Sequence, residues 1–157
     1  DLAQLGARYR QLQKELHPDR YAGASAHEQR LAVQYSALIN EAYTTLRKPL
    51  SRALYLLELS GMTSKDIAAQ HIDGGFLIMQ MELREKLESM EGLIDPETVL
   101  EHLVTEISQD IMMLQKQFSQ AYTAGDMSAA ASACVKMQYL DKLLQEAEQI
   151  ESRLIDR

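Results

Sequence analysis

Apolar residues recur at helical spacing along almost the whole chain. The first run sets Leu5, Tyr9, Leu12 and Leu16 four, three and four apart, one stripe of a helix over about Leu2 to Leu16. Arg10 and Lys14 make a basic i,i+4 pair on its outward side. A second helix is predicted to open at Ser25, which forms a capping box with Glu28. It runs to about Arg47, with Leu31, Tyr35, Leu38, Ala42 and Leu46 on the expected core stripe and Ile39 and Tyr43 beside it. Pro49 suits the first turn of a third, short helix that carries Leu50, Ala53, Leu54 and Leu57 and stops at Gly61. Residues 62–74 are polar and lead into Asp73-Gly74-Gly75, a turn signal and the expected domain boundary.

Three longer helical patterns follow. The first spans about Phe76 to Glu91 and ends at Gly92. The second opens with Asp95 as N-cap and Pro96 as first helical residue, and its stripe is Leu100, Val104, Ile107, Ile111, Leu114, Phe118 and Ala121. Gly125 ends it and Asp126 caps the last helix, whose stripe is Ala130, Ala133, Met137, Leu140, Leu144, Ala147, Ile150 and Leu154. Three such helices with short connections pack as an antiparallel three-helix bundle. The expected organisation is therefore all-α: a front domain over 1–62, a linker over 63–75 and a helical bundle over 76–157.

The helix over 76–91 carries more apolar surface than a bundle position requires. Phe76, Met79, Leu83, Leu87 and Met90 share one arc, enough to bury it. Leu77, Ile78 and Met81 fall roughly opposite, flanked by Glu82 and Glu85 with Arg84 on the other edge. Exposed apolar side chains rimmed by charge mark a protein interaction surface. The alternatives are that this face docks on the front domain or on a second copy, and that the charges are only a solvated face.

Composition narrows the function classes. The chain has no Trp, 7 Gly and 3 Pro in 157 residues, and its abundant Leu, Ala, Glu, Gln and Met favour helix. No apolar stretch reaches membrane-spanning length, and no signal or transit peptide is visible. The net charge of -7 is uneven: residues 1–62 hold eight basic against six acidic side chains, residues 63–157 eight against seventeen. That imbalance suggests two surfaces with different partners and argues against nucleic acid. Cys134 is alone, between Ala133 and Val135, and reads as a small buried apolar residue in a reducing compartment. His17, His27, His71 and His102 have no metal-binding spacing, and neither a phosphate loop nor a zinc pattern is present, so no metal or cofactor is expected.

The most specific local signal is His17-Pro18-Asp19, between the first two helices. Proline disfavours helix in the residue before it, so the first helix ends near Leu16 or His17 and a rigid turn presents an imidazole and a carboxylate beside a basic helix. Three residues alone are a weak motif; basic helix, tripeptide, short loop and long second helix together are specific. The arrangement resembles the J domain, the module that activates DnaK-class chaperones. A hydrolase built on His17 and Asp19 is the rival from another class, but the chain offers neither a nearby nucleophile nor a third triad member.

Further stretches extend the likeness: Asn40-Glu41-Ala42-Tyr43-Thr44-Thr45-Leu46-Arg47, Pro49-Leu50-Ser51-Arg52-Ala53, the segment from Phe76 through Glu85, and Tyr139-Leu140-Asp141-Lys142-Leu143. With these the chain resembles, over essentially its whole length, the HscB family of J-type co-chaperones of iron–sulfur cluster assembly. The resemblance implies an adaptor, not an enzyme, that delivers the scaffold protein IscU to the chaperone HscA and stimulates its ATP hydrolysis. It implies that His17, Pro18 and Asp19 carry the chaperone signal, with Arg10, Lys14 and Arg20 on the basic docking face. It assigns Leu77, Ile78, Met81, Glu82, Arg84, Glu85 and Tyr139 to scaffold binding. Two departures follow from the comparison. The short helix that opens a complete J domain is absent here, which is expected to leave Leu2 and Leu5 poorly covered. No N-terminal cysteine-rich segment of the sort found in some eukaryotic relatives is present, so a bacterial cytoplasmic setting is expected over the mitochondrial matrix.

Overall fold

A computed structural model describes residues 1–156; Arg157, the expected last residue of the bundle, lies outside the described residues. Every regular element among them is helical: α1 (Leu2–Glu15), α2 (Ala26–Arg47), α3 (Pro49–Leu59), α4 (Ser64–Ala68), α5 (Gly74–Glu88), α6 (Pro96–Thr123) and α7 (Met127–Ile155). Short 3-10 turns lie at Pro18–Tyr21 and Met90–Gly92. The chain divides into two units, Asp1–Tyr55 and Leu56–Arg157.

Caps fix most of these limits. Asp1, Asp73, Asp95 and Asp126 each accept from a backbone N–H in the first turn of the helix they precede. Ser25 with Glu28 and Thr63 with Asp66 complete capping boxes. The ends of α3 and α6 turn out through Gly61 (φ 96°) and Gly125 (φ 78°), both left-handed. The next residues close the motif, Met62 N–H donating to Leu57 O at 3.1 Å and Asp126 N–H to Ala121 O at 2.9 Å.

In the first unit α1 and α2 pack antiparallel. Tyr9 and Tyr43 stack with ring centroids 4.0 Å apart, and the Tyr9 hydroxyl donates to Asn40 Oδ1 at 2.6 Å. Gly6 is buried beside them; a Cβ there would lie 3.3 Å from the Arg10 side chain and 3.9 Å from the Tyr43 hydroxyl. The expected core stripe of α2 is turned by about one residue. Ala32 is buried and Ile39 and Tyr43 are half-buried, whereas Tyr35 and Leu38 are exposed. Two apolar stripes lie side by side on this helix, and the aromatic stack and hydrogen bond to Tyr9 select the one facing α1. Leu2 is exposed and Leu5 half-buried.

In the second unit α6 and α7 form a long antiparallel hairpin. Leu100, Leu103, Ile107, Leu114 and Phe118 of α6 are buried, as are the small residues Ala130, Ala131, Ala133 and Cys134 of α7. Helix α7 buries more than the expected single stripe, Val135 and Leu143 included, because α4, α5 and α6 all pack on it. Segment 63–75, expected as a linker, contains α4; its Ile67 is buried, and the Ser128 hydroxyl donates to Gln70 Oε1 at 2.9 Å. Helix α5 then runs parallel to α7 in nearly constant register. Asp73 pairs with Lys136, Phe76 meets Tyr139, and Arg84 pairs with Glu146. Leu57, Leu87, Met90, Ile107, Met137, Leu140 and Leu143 are the large side chains closed off most completely. Each such apolar side chain contributes roughly 1.5–3 kcal/mol relative to exposure.

Candidate functional site

Each unit carries one group of the residues selected from the sequence. In the first, α1 stops at Glu15 with Leu16 as its cap, because His17 precedes proline and adopts an extended backbone (φ −61°, ψ 130°). Pro18–Tyr21 then coil into a single 3-10 turn. His17 Nδ1 accepts the Asp19 amide hydrogen at 3.2 Å. The Asp19 carboxylate approaches the same nitrogen at 3.6 Å. At that separation, beyond hydrogen-bond distance, the two side chains are neighbours and not a hydrogen-bonded pair. His17 and Asp19 remain open to solvent.

The turn is fastened to α1 from behind. Arg20 Nη1 donates to Lys14 O at 3.1 Å and the Tyr21 hydroxyl to Glu15 O at 3.4 Å, so two carbonyls at the end of α1 are capped by the segment that follows the tripeptide. Arg10, Lys14 and Arg20 are all exposed. Lys14 lies in the last turn of α1, where a cation complements the helix dipole. The structure thus brings the imidazole, a carboxylate and basic side chains to the end of one helix. Arg20 also has a structural task that spacing alone did not disclose.

In the second unit α5 separates its two apolar faces. Phe76, Leu83 and Leu87 are buried, whereas Ile78 and Met81 are 59% and 57% exposed and Leu77 is half-buried. Glu82 and Glu85 are exposed beside them. Helix α5 packs chiefly on α7, which leaves its outer face free within this unit. Arg84 lies at the other edge of this face, its side chain 40% exposed and its Nη2 3.4 Å from Glu146 Oε1. Tyr139 reaches the same neighbourhood from α7, its ring edge-on to Phe76 at 6.2 Å.

Lys136, Asp73 and Glu146 belong to this arrangement and were not singled out from the sequence. Lys136 Nζ stands 2.9 Å from Asp73 Oδ1 and 5.5 Å from the centre of the Phe76 ring. The Lys136 hydrogen bond, helped by the Phe76 amide, holds the Asp73 carboxyl below its ordinary value. The partners are more than sixty residues apart, and only Asp73 had a local signal, as the first residue of the Asp73-Gly74-Gly75 turn. Among the described residues no group of three or more His, Cys, Asp or Glu side chains is placed to hold a metal ion. No helix among them is long and apolar enough to cross a membrane. Cys134 is buried, and burial pushes its thiol up to about 11.

Comparison with known proteins agrees along the chain. Residues 72–148 match the family model described as the HSCB C-terminal oligomerisation domain. The co-chaperone protein HscB homologue of Aeromonas hydrophila is 42% identical over 156 residues, which cover 99% of this chain and 91% of that protein. The homologue of Shewanella loihica is 38% identical, with 98% and 91% covered. Among solved structures, the chaperone HscB of Vibrio cholerae superposes with a TM-score of 0.88 at 38% identity, over 98% of this chain and 90% of that one. The human co-chaperone protein HscB gives 0.86 at 31% identity, over 96% and 75%.

Proposed function

Since the chain belongs to the HscB family of co-chaperones, we propose that it binds an IscU-type iron–sulfur scaffold through α5 and delivers it to an HscA-type chaperone in the bacterial cytoplasm. The observation that carries this reading is the outer face of α5, where Ile78 and Met81 stay exposed although the opposite face already buries the helix. An apolar face rimmed by Glu82 and Glu85 matches a partner that brings apolar surface at the centre and positive charge at the edge. Leu77, Arg84 and Tyr139 complete the scaffold-binding surface. At the other unit His17, Pro18 and Asp19 contact the chaperone, with Arg10, Lys14 and Arg20 steering the encounter. Stimulation of ATP hydrolysis requires that these contacts favour the chaperone's hydrolysis-competent state over its resting one. The chain itself performs no hydrolysis.

The test is calorimetric titration with an IscU-type scaffold, using the unsubstituted chain and a Leu77→Ala/Ile78→Ala/Met81→Ala variant of confirmed helicity. Binding that the variant loses supports the reading; a folded, unsubstituted chain that does not bind overturns it. A second reading is favoured by the description of the matching family as an oligomerisation domain. There the α5 face joins two copies of the chain, and sedimentation would show a mass that falls in the triple variant.

A further inference from the structure

Buried Phe76, Leu83 and Leu87 and the Arg84–Glu146 pair hold α5 along its length, but the polar and aromatic ties to α7 are densest at the start of the apolar face. Asp73 performs two tasks with one carboxylate. Its Oδ2 accepts the Phe76 amide at 2.9 Å as the N-cap of α5, and its Oδ1 receives the Lys136 ammonium at 2.9 Å. Gly75 keeps that position open, because a Cβ there would stand 3.3 Å from Asp73 Oδ2. The Lys136 side chain is only 23% exposed and its Nζ lies over the Phe76 ring, which in turn supports Tyr139 edge-on. One ammonium therefore ties together the cap of α5, the ring beneath its first turn and the aromatic residue that α7 adds to the surface. Three residues earlier Gln70 is joined to Ser128, so the connection from α4 to α5 is held to α7 at both ends.

We infer that Asp73 and Lys136 are positioning residues for partner binding, a clip that sets the start of α5 so that Leu77, Ile78, Met81 and Tyr139 form one surface. This inference rests on the client-adaptor reading of that surface. Without the clip the first turn of α5 keeps its cap and its buried Phe76 but loses the tie to α7. Helix termini fray first, so the loss falls on Leu77 and Ile78 and leaves the α6–α7 hairpin unaffected. The partner must then order that turn on binding, which weakens affinity without removing any contact atom.

The experiment compares the full chain with Lys136→Met, Lys136→Arg and Asp73→Asn, and with the Asp73→Asn/Lys136→Met double variant. Asparagine retains the cap, methionine the apolar stem and arginine the charge. Scaffold affinity is measured by calorimetry, and amide hydrogen exchange is followed at Phe76, Leu77 and Ile78 against amides in α6. Lys136→Met and Asp73→Asn should each weaken binding about three- to tenfold. Both should speed exchange in the first turn of α5 and leave α6 unchanged. Lys136→Arg should restore both readouts, and the double variant should be no weaker than either single one. Unsubstituted affinity in Lys136→Met overturns the clip. So does weak binding in Lys136→Met with full affinity in Asp73→Asn, because the ammonium would then be touching the partner directly. If the unsubstituted chain binds no scaffold, the proposed function fails and the positioning role fails with it; if it binds and the variants bind equally well, only the clip fails.

Discussion

Asp73, Leu140 and Cys134 show how differently single side chains enter the balance of this protein. The Asp73 carboxyl is held below its ordinary value by Lys136 first and by the Phe76 amide second. A carboxylate with a depressed folded-state pKa gives stability that is present above its unfolded value of about 3.9 and is lost as pH falls through the folded value. Asp73→Asn should therefore lower stability slightly in the neutral region, converge with the unsubstituted chain as pH falls below about 4, and so flatten the acid limb of the stability curve, as read from urea midpoints at a series of pH values. Leu140 is fully enclosed. Leu140→Ala leaves a cavity in the middle of α7 and should lower unfolding free energy by about 2–5 kcal/mol. Met113→Ala, at an exposed site, should stay within about 0.5 kcal/mol on the same urea curves. The Cys134 thiol, buried and pushed up to about 11, should resist alkylation at pH 8 in the native protein and react once the chain is unfolded. Fast labelling of the folded chain would contradict the burial.

Helices were legible in the sequence wherever a cap and a single apolar stripe coincided. Ser25 with Glu28, Asp95 with Pro96, and Asp126 after Gly125 marked their boundaries within a residue or two, since capping depends on neighbours in the chain. Orientation was harder where two stripes competed. On α2 the pattern favoured Tyr35 and Leu38, but the stack of Tyr9 on Tyr43 turned the neighbouring stripe inward. Such a choice depends on the opposing helix, which a periodicity does not contain. The candidate site divides in the same way. Ile78 and Met81 could be separated from Phe76 and Leu83 by angle alone, whereas the pairs of Asp73 with Lys136 and Arg84 with Glu146 are made only when α5 lies parallel to α7. At the end of α6, Gly125 holds a left-handed conformation, so Gly125→Ala should lower stability by about 1 kcal/mol and more than a substitution at an exposed helical site such as Met112. Equal urea midpoints for the two variants would show that this turn relaxes without strain.

At the scale of the whole molecule, the proposed surfaces for chaperone and client lie in different units, which predicts that their effects separate. His17 and Asp19 belong to the unit Asp1–Tyr55, and Leu77 through Glu85 with Tyr139 to the unit that begins at Leu56. Substitutions in units that share no partner residues should be close to additive. His17→Gln should abolish stimulation of an HscA-type ATPase and leave scaffold affinity within about a factor of two, since additivity over separate sites holds to within roughly 0.5 kcal/mol. The Leu77→Ala/Ile78→Ala/Met81→Ala variant should lose the scaffold and retain the stimulation that the chain gives without a client. The adaptor reading demands more than two independent activities. If delivery depends on tethering, client and chaperone must meet on the same chain, because a covalent link replaces bulk concentration by a much higher effective one. An equimolar mixture of the two variants should then fail to restore the joint stimulation given by unsubstituted chain and scaffold together, although each activity is present in the tube. Steady-state ATP hydrolysis measured with scaffold, chaperone and the mixture decides this. Full restoration by the mixture would mean that the client reaches the chaperone unaided, and that joining the two units in one polypeptide has some purpose other than delivery.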